Sequence, residues 1–218
     1  MRFIDLSHTI SDGLVTYPGL PAPVISDHLS FEASHDVYAA GYEFNIGRID
    51  MIANTGTYLD TPGHRHRDGH DLSGLSLERC ALLPAVVVDG AATGGTDASA
   101  FDGLEVAGRA VLVRTGWSDT FGTAAYGGSE HPFLTVDAAQ WLIDAGAVLV
   151  GIDSLNIDDT RGGERPIHTM LLAAEVPIVE HLTDLDRLPA TGGTFTAVPV
   201  KVAGMSTFPV RAFATLPD

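Results

Sequence analysis

The chain has 218 residues, of which 45% are hydrophobic and 18% are charged, a balance typical of one globular domain with ample apolar material for a core. The 12 Lys and Arg residues against 28 Asp and Glu residues give a formal net charge of −16. This charge repels nucleic-acid phosphate and anionic lipid, so we expect a small-molecule substrate, with no nucleic acid and no membrane as partners.

The sequence predicts a cytoplasmic location. Cys80 is the one cysteine, so an intrachain disulfide is excluded, and we expect this side chain to be a small buried hydrophobe. The first residues, MRFIDLSHTI, lack the positive region and long apolar run of a secretory signal. No stretch approaches the ~18 apolar residues that a membrane helix needs.

In chain order, the first distinct element is a half-exposed strand over residues 42 to 52, where apolar and polar residues alternate. It leads into NTGTYLDTPGHRHRDGHDL, residues 54 to 72, which reads as a turn with three histidines. A turn that follows a strand is a common place for binding and catalytic residues.

The remaining chain alternates apolar runs with helical patterns, which predicts an α/β domain with a crossover unit. Residues 90 to 103 read as a flexible surface loop. We expect the first helix to begin at Thr135 as its cap and to end at Gly146. The predicted strands are 85 to 90, 110 to 116, 147 to 153, 176 to 180 and 195 to 204, and the predicted helices are 135 to 146 and 167 to 175.

Two groups of side chains carry the candidate chemistry. Asp60 and His64 converge if the Pro-Gly turn between them bends the chain, and a carboxylate with an imidazole can bind a divalent metal or exchange protons. His66 and His70 add candidates, or belong to a solvated turn. Downstream, His168 begins a predicted helix.

Glu180 ends an apolar strand 12 residues beyond His168, and burying a carboxylate is costly unless it is paired or bound to a metal. Asp153 lies at the carboxyl end of a predicted strand, where parallel sheets commonly bind ligands. Alternatively, it is a turn residue. Trp117 could form one wall of a pocket, or pack in the core.

Long ordered segments of the chain resemble the cyclase-like metal-dependent hydrolase family, which includes bacterial kynurenine formamidases and isatin hydrolases. These segments are IDLSHTISDGLVTYPG, LVRTGWSD, HPFLTVDAAQWLIDAGAVLVGIDSLNID and IHTMLLAAEVPIVEHLTDLDRLP. The resemblance implies a compact mixed-sheet domain of the swivelling β/β/α type over residues 1 to 218. It also implies a homodimer or homotetramer.

The family's metal motif, H-x-G-T-H-x-D-x-P-x-H, is matched here from Asn54 to His64. The resemblance implies that Asp60, His168 and Glu180 are metal ligands and that His64 is an acid or base. However, Asn54 and Tyr58 replace two ligand histidines. A neutral amide is a poor zinc ligand, and a phenol must lose a proton with a pKa near 10 to bind well.

Three arrangements of the site therefore remain open: one zinc or manganese ion, one ion held with the help of His66, or no metal. With a metal, we expect a hydrolase of a C–N bond in a formamide or small cyclic amide. Tyr58 would then stabilise the oxyanion, and Trp117, Asn54 and His66 would contact the substrate. The alternatives are a metal-independent cyclase or dehydratase of secondary metabolism, and a small-molecule-binding protein without catalysis.

Overall fold

The computed structural model describes residues 1–217. In this part of the chain, β-strands are interspersed with three short α-helices. The helices of this part are α1 (Phe31–Ser34), α2 (Val136–Asp144) and α3 (Pro166–Ala173). The strands are β1 (Arg2–Asp5), β2 (Val24–Leu29), β3 (Ile46–Asp50), β4 (Tyr58–Asp60), β5 (Leu83–Asp89), β6 (Gly95–Thr96), β7 (Ala110–Arg114), β8 (Phe133–Leu134), β9 (Leu149–Ile152), β10 (Ile178–Glu180), β11 (Thr191–Thr196), β12 (Thr207–Pro209) and β13 (Phe213–Leu216).

Within the described residues, nine strands form one curled mixed sheet in the order β1-β13-β11-β5-β7-β9-β10-β4-β12. The central strands β5, β7, β9 and β10 are parallel. Antiparallel strands extend both sides: β11, β13 and β1 beyond β5, and β4 and β12 beyond β10. The predicted α/β class with a mixed sheet is confirmed.

The two faces of the central strands carry separate apolar clusters, because successive side chains of a strand point to opposite faces. Val111 and Val113 of β7 pack in the cluster that includes α2 and α3. Ala110 and Leu112 pack in the opposite cluster, with residues from the outer strands. Both faces of β7 are therefore buried, which explains its unbroken apolar sequence.

Most predicted elements of the central layer are confirmed, because each has a strong local signal. Strands β7, β9 and β10 lie within 110 to 116, 147 to 153 and 176 to 180, and α2 lies within 135 to 146. Strand β5 begins two residues before the predicted 85, and α3 begins one residue before the predicted 167. Gly146, with φ 79°, ends the α2 segment as expected. Thr135 precedes α2 but makes no side-chain capping bond, since its hydroxyl donates to the Thr96 carbonyl.

Three predicted segments differ in the structure. The strand predicted for 195 to 204 ends at Thr196, and the two final strands, β12 and β13, were not predicted. Pro199 has no N–H to donate to a ladder, which is consistent with the early end. The predicted loop from 90 to 103 contains β6 and a 3-10 turn whose Phe101 is fully buried.

The strand predicted for 42 to 52 is shorter, and it is exposed along its whole length. As β3, it pairs only with β2 in a separate two-stranded ribbon. Ile25 and Ile49 face each other across this ribbon and are 45% and 48% exposed. Among the described residues, no helix is long and apolar enough to cross a membrane.

Candidate metal centre

The register of β4 and β10 places three acidic or phenolic side chains on one face of the sheet. Glu180 lies opposite Tyr58, and Ile178 lies opposite Asp60. Residues that are directly opposite in an antiparallel pair share a face, as do residues two apart on one strand. Tyr58, Asp60 and Glu180 therefore point to the face that α3 covers, where Ile178 also packs.

Strand β12 adds a hydroxyl to this group from the other side of β4. Thr207 lies opposite Asp60, and its hydroxyl donates a hydrogen bond to Asp60 Oδ1. The 3-10 turn Pro62–His64 follows β4 and brings His64 back beside Thr207. The distance from His64 Nδ1 to Thr207 Oγ1 is 2.9 Å. Since the Thr207 proton is used by Asp60, His64 Nδ1–H is the donor to Thr207. In this tautomer the lone pair is on Nε2.

Helix α3 supplies His168, and Asp158 fixes the orientation of its ring. Asp158 accepts hydrogen bonds from the backbone N–H groups of Ile167 and His168, at 2.6 and 3.1 Å, in the first turn of the helix. Its Oδ2 also accepts from His168 Nδ1 at 2.5 Å. This bond assigns the proton to Nδ1 and directs Nε2 toward Asp60 and Glu180, an arrangement typical of metal-binding histidines.

The donor atoms around His168 Nε2 have the spacing of a metal site. Nε2 lies 3.7 Å from Asp60 Oδ2 and 3.5 Å from Glu180 Oε1. Ligand atoms of a tetrahedral ion with bonds of ~2.0–2.2 Å lie roughly 3.3–3.6 Å apart. Asp60 Oδ2 is buried without a hydrogen-bond partner among residues 1–217, which is costly for a carboxylate. Donor atoms of Asp60, His64 and His168 lie close enough together to fit one divalent cation, and Glu180 Oε1 lies beside His168.

The charges at the site also favour a cation. Burial alone would lower the pKa of His168, but Glu180, Asp158 and Asp60 together raise it to about 10. Burial, with the neighbouring Asp60 charge, raises the pKa of Glu180 to about 7. Burial opposes ionisation of Asp60, yet His168 and His64 lower its pKa. Negative charge that is this concentrated and buried requires a proton or a metal for compensation.

Tyr58 belongs to a buried chain of hydrogen bonds rather than to the solvent. Its hydroxyl donates to Glu180 Oε2 at 2.7 Å and lies 3.2 Å from His181 Nε2, while His181 Nδ1 lies 2.6 Å from the hydroxyl of Tyr126. Burial lowers the pKa of His181 to about 3, so its ring is neutral. Nε2–H then donates to Tyr58 and Nδ1 accepts from Tyr126.

Burial and the charges of Glu180 and Asp60 raise the pKa of Tyr58 well above its ordinary value. The phenol therefore stays protonated and acts as a donor. A neutral phenol is a poor metal ligand, so Tyr58 does not supply the donor that a histidine would supply at this position.

A cavity of about 240 Å³ opens onto this cluster. Asp60 lies behind it, fully buried. The walls combine buried acidic and imidazole groups with more exposed polar and apolar side chains. The residues that line it are Tyr17, Leu20, Asn54, Tyr58, His64, Arg65, Asn156, Arg165, His168 and Glu180.

Most of the predicted site residues meet here. Donor atoms of Asp60, His64 and His168 all lie within 4.8 Å of one another, and Glu180 Oε1 is in contact with His168. Tyr58 and Asn54 line the cavity beside them. The roles predicted for these residues stay predictions, but the spatial convergence on which they depend is present.

His66 and Trp117, predicted to contact the substrate, do not line this cavity. The Nε2 atom of His66 lies 3.0 Å from the carbonyl oxygen of Thr169. Trp117 begins a 3-10 turn after Gly116, whose φ is 78°, and its indole N–H donates to the carbonyl of Tyr126. Each ring nitrogen is used by a backbone carbonyl, and the substrate contacts expected of these two residues stay predictions.

His70 and Asp153 also have structural partners. His70 Nε2 lies 2.9 Å from Glu175 at the surface. Asp153 accepts hydrogen bonds from the backbone N–H groups of Thr115 and Gly116 and from the Thr115 hydroxyl. Asp153 therefore holds the turn after β7, in agreement with its interpretation as a turn residue.

Sequence reasoning missed Asp158, His181 and Thr207. Asp158 follows β9 by a few residues, and His181 directly follows Glu180 at the end of β10. Their position after a strand is the one signal that could have indicated them. Thr207 has no such signal, because its role depends on the pairing of β12 with β4.

The fold and the site define the class of this protein: a mixed-sheet α/β protein with a buried carboxylate–histidine cluster suited to a divalent metal. The family model described as "Putative cyclase" matches residues 4–159. The chain belongs to this family of cyclases.

Several characterised or solved proteins are similar to the chain over nearly its whole length. A kynurenine formamidase of Bacillus cereus is 26% identical over 212 residues, which cover 97% of this chain and 96% of that protein. The structure of isatin hydrolase A from Ralstonia solanacearum is 26% identical, with a TM-score of 0.85 over 99% of this chain and 92% of the other. A structure described as a potential metal-dependent hydrolase with cyclase activity is 25% identical, with a TM-score of 0.78 over 98% and 96%.

Proposed function

We propose that this protein is a metal-dependent hydrolase that cleaves a C–N bond in a formamide or a small cyclic amide. The observation that carries the proposal is the unpartnered Asp60 Oδ2, which lies 3.7 Å from His168 Nε2, while Glu180 Oε1 lies 3.5 Å from the same nitrogen. The similarity to a kynurenine formamidase and an isatin hydrolase supports the same reaction class.

We propose that Asp60, His168 and Glu180 would hold one ion, with zinc or manganese suited to a mixed set of carboxylates and imidazole. His64 lies on the other side of Asp60, near Oδ1, and its Nδ1–H is used by Thr207. Its Nε2 remains free in this arrangement, and we propose that His64 moves protons rather than completes the ligand set. When bound, such an ion polarises the amide carbonyl and lowers the pKa of a water molecule toward about 7.

His64 has the position of the group that moves the proton. Its side chain is 31% exposed and lines the cavity, while Asp60 beside it is fully buried. In the neutral ring, Nε2 accepts a proton from the attacking water, and the resulting imidazolium faces the charge of Asp60. The proton then passes to the leaving nitrogen as the C–N bond breaks, which gives a carboxylate and an amine.

Tyr58 would stabilise the negative charge that develops on the carbonyl oxygen. Its hydroxyl is held between Glu180 and His181 and remains protonated, so it can turn to donate to an oxyanion. Asn54 lines the cavity next to it and offers a second neutral donor. The cavity volume of about 240 Å³ lies below the ~300–1,000 Å³ typical of ligand pockets, which favours a small, single-ring substrate.

A metal-independent acid–base reaction, such as a dehydration or ring closure, is the second candidate. It is favoured by the hydrogen bonding of Glu180, whose Oε1 accepts from the Ile157 N–H and whose Oε2 accepts from Tyr58, both at 2.7 Å. In that case protonated His168 would replace the metal as the countercharge to Asp60.

Metal analysis combined with an activity assay separates the two candidates. The protein is purified without chelator or histidine tag, its metal content is measured by mass spectrometry, and hydrolysis of an N-formyl arylamine and of isatin is followed. We expect about one divalent ion per chain, loss of activity on chelation and recovery on adding zinc or manganese. Full activity after exhaustive chelation would remove the metal from the mechanism.

The variant His168→Ala and its matched control His66→Ala localise the ion. His168→Ala should lose the metal and the activity, since it removes the central ligand. His66→Ala changes the same residue type outside the cavity, so it should keep both. Equal metal content in the two variants would contradict the proposed ligand set.

We also propose that the protein forms a homodimer or homotetramer, in which a second copy covers the ribbon of β2 and β3. The exposed isoleucines of this ribbon support the proposal, because large apolar side chains clustered on a surface are typical of interfaces. The predicted cytoplasmic location stays a prediction.

A further inference from the structure

Two arginines line the cavity at its more exposed end. Arg65 is exposed and follows the turn that carries His64, whereas Arg165 is half-buried and immediately precedes α3. His168 and Glu180, at the inner end, are 3% and 1% exposed. The cavity therefore runs from a cationic mouth to an acidic, metal-suited interior.

Carboxylates neutralise some of the cations of this chain but not these two. The arginines that form an ion pair with a carboxylate include Arg114, Arg161, Arg187 and Arg211. Within residues 1–217, neither Arg65 nor Arg165 forms an ion pair with a carboxylate.

Arg165 is held in place by neutral groups. Its Nη1 donates to the carbonyl oxygens of Gly162 at 2.9 Å and Glu164 at 2.5 Å. Carbonyl oxygens orient the guanidinium without neutralising its charge, and the remaining N–H groups stay available for a planar anion. Arg65 is held more loosely, by one 3.4 Å contact with the Thr169 hydroxyl.

We propose that Arg165 and Arg65 bind an anionic substituent of the substrate, a carboxylate attached to the ring or chain that carries the scissile amide. This inference rests on the proposed function and narrows its substrate class. A guanidinium binds a carboxylate through charge-assisted hydrogen bonds, which give both affinity and orientation. With the carboxylate at the mouth, the amide carbonyl lies toward His168 and Glu180. The two arginines are thus specificity-determining residues and not catalytic ones.

The test compares two substrates that differ in one charge: 2-formamidobenzoate and the neutral 2-formamidobenzamide. For the metal-loaded wild-type protein, we expect kcat/KM for the carboxylate to be at least about 10-fold higher, mainly through KM, since the contact is made equally in the ground and transition states. Arg165→Ala should remove this preference. Arg65→Ala should reduce it, and the matched control Arg67→Ala, an exposed arginine outside the cavity, should keep it.

The neutral substrate reports on folding, because its kcat/KM should be the same in all four proteins. If Arg165→Ala also loses activity on the neutral substrate, the substitution has damaged the segment that carries Arg165. The carboxylate preference of Arg65→Ala then tests the inference. Equal efficiency of the two substrates in the wild-type protein would overturn the inference. An equal loss for both substrates in Arg65→Ala would do the same.

A binding measurement separates failure of this inference from failure of the proposed function. If neither substrate is hydrolysed, the proposed function fails, and calorimetry with benzoate and benzamide decides on the anion site. Benzoate that binds at least about 10-fold more tightly than benzamide to the wild type and to Arg67→Ala, but not to Arg65→Ala, supports the site. Equal binding of benzoate and benzamide overturns it.

Discussion

The hydroxyl of Tyr58 donates a 2.7 Å hydrogen bond to Oε2 of Glu180, across the register of β4 and β10. Tyr58 stands where the related motif carries a ligand histidine, so a phenol now shares a carboxylate with the candidate metal centre. With Asn54 at the other replaced position, this bond leaves the proposed centre with ligands for one ion rather than two.

Restoring the two histidines should therefore create a second metal site. We expect the double variant Asn54→His/Tyr58→His to hold about two divalent ions per chain, against about one in the wild type, as measured by mass spectrometry after dialysis. Asn54→His alone keeps the Tyr58–Glu180 bond and should remain near one. A double variant that stays at one ion, or a wild type that already holds two, would contradict this account.

Removing the Tyr58 hydroxyl should lower the rate more than the affinity. We expect Tyr58→Phe to reduce kcat by roughly 10²–10³-fold with little change in KM, as for the loss of one oxyanion donor. Steady-state kinetics with an N-formyl arylamine measures both constants. A rise in KM at constant kcat would show instead that the hydroxyl contributes only to substrate binding.

Asp158 should control metal affinity through His168. We expect Asp158→Asn to weaken metal binding by about 10–100-fold, because the amide no longer supports the Nδ1 proton and the orientation of the ring as the carboxylate does. Competition with a chelating indicator measures the affinity. The exposed neighbour Asp159, paired with Arg161, provides the control Asp159→Asn, which should bind metal normally; equal affinities in the two variants would refute the role of Asp158.

His8 should make the protein sensitive to acid. Its ring stacks on Phe121 with centroids 3.6 Å apart, and burial lowers its pKa to about 4 from an ordinary value of 6.5. Because the unfolded chain binds a proton more readily, the stability that neutral His8 contributes is complete above pH ~6.5 and is lost as the pH falls toward 4.

The variant His8→Phe keeps an aromatic ring against Phe121 but cannot be protonated. We expect its Tm to fall less than that of the wild type between pH 7 and pH 5. The difference should be roughly 2–4 °C, the change that accompanies ~1 kcal/mol of unfolding free energy in a chain of this size. Calorimetric scans across this range provide the measurement, and parallel pH profiles for the two proteins would exclude the effect.

The ribbon of β2 and β3 should hold the subunits together. We expect Ile49→Glu to lower the molar mass in solution, measured by light scattering, because it places a charge in an apolar interface. Arg48→Glu changes the charge on the opposite face of the same strand and should leave the mass unchanged. A wild type that is already monomeric would show that this surface is not an interface between copies.

The central layer could be predicted because its signals are local. Apolar runs such as 110 to 116 and the helical pattern from 135 to 146 depend on neighbouring residues, and each occurs as an element within the predicted bounds. Asp60, His64, His168 and Glu180 were identified by their resemblance to a family motif. That resemblance indicated that the segment with Asp60 and His64 meets the distant segment with His168 and Glu180. The hydrophobic periodicity of the sequence carries no such information.

The tertiary structure decided which side chains reach the site. His66 and Trp117 have suitable chemistry in the sequence, yet backbone carbonyls hold both outside the cavity. Thr207 reaches the site because β12 pairs with β4. Asp158 reaches it because the first turn of α3 donates a backbone hydrogen bond to its carboxylate. Residue type and spacing determine what chemistry is possible. Strand register and competition for hydrogen bonds determine which groups meet. Both depend on segments that are distant in the chain, so neighbouring residues in the sequence do not encode them.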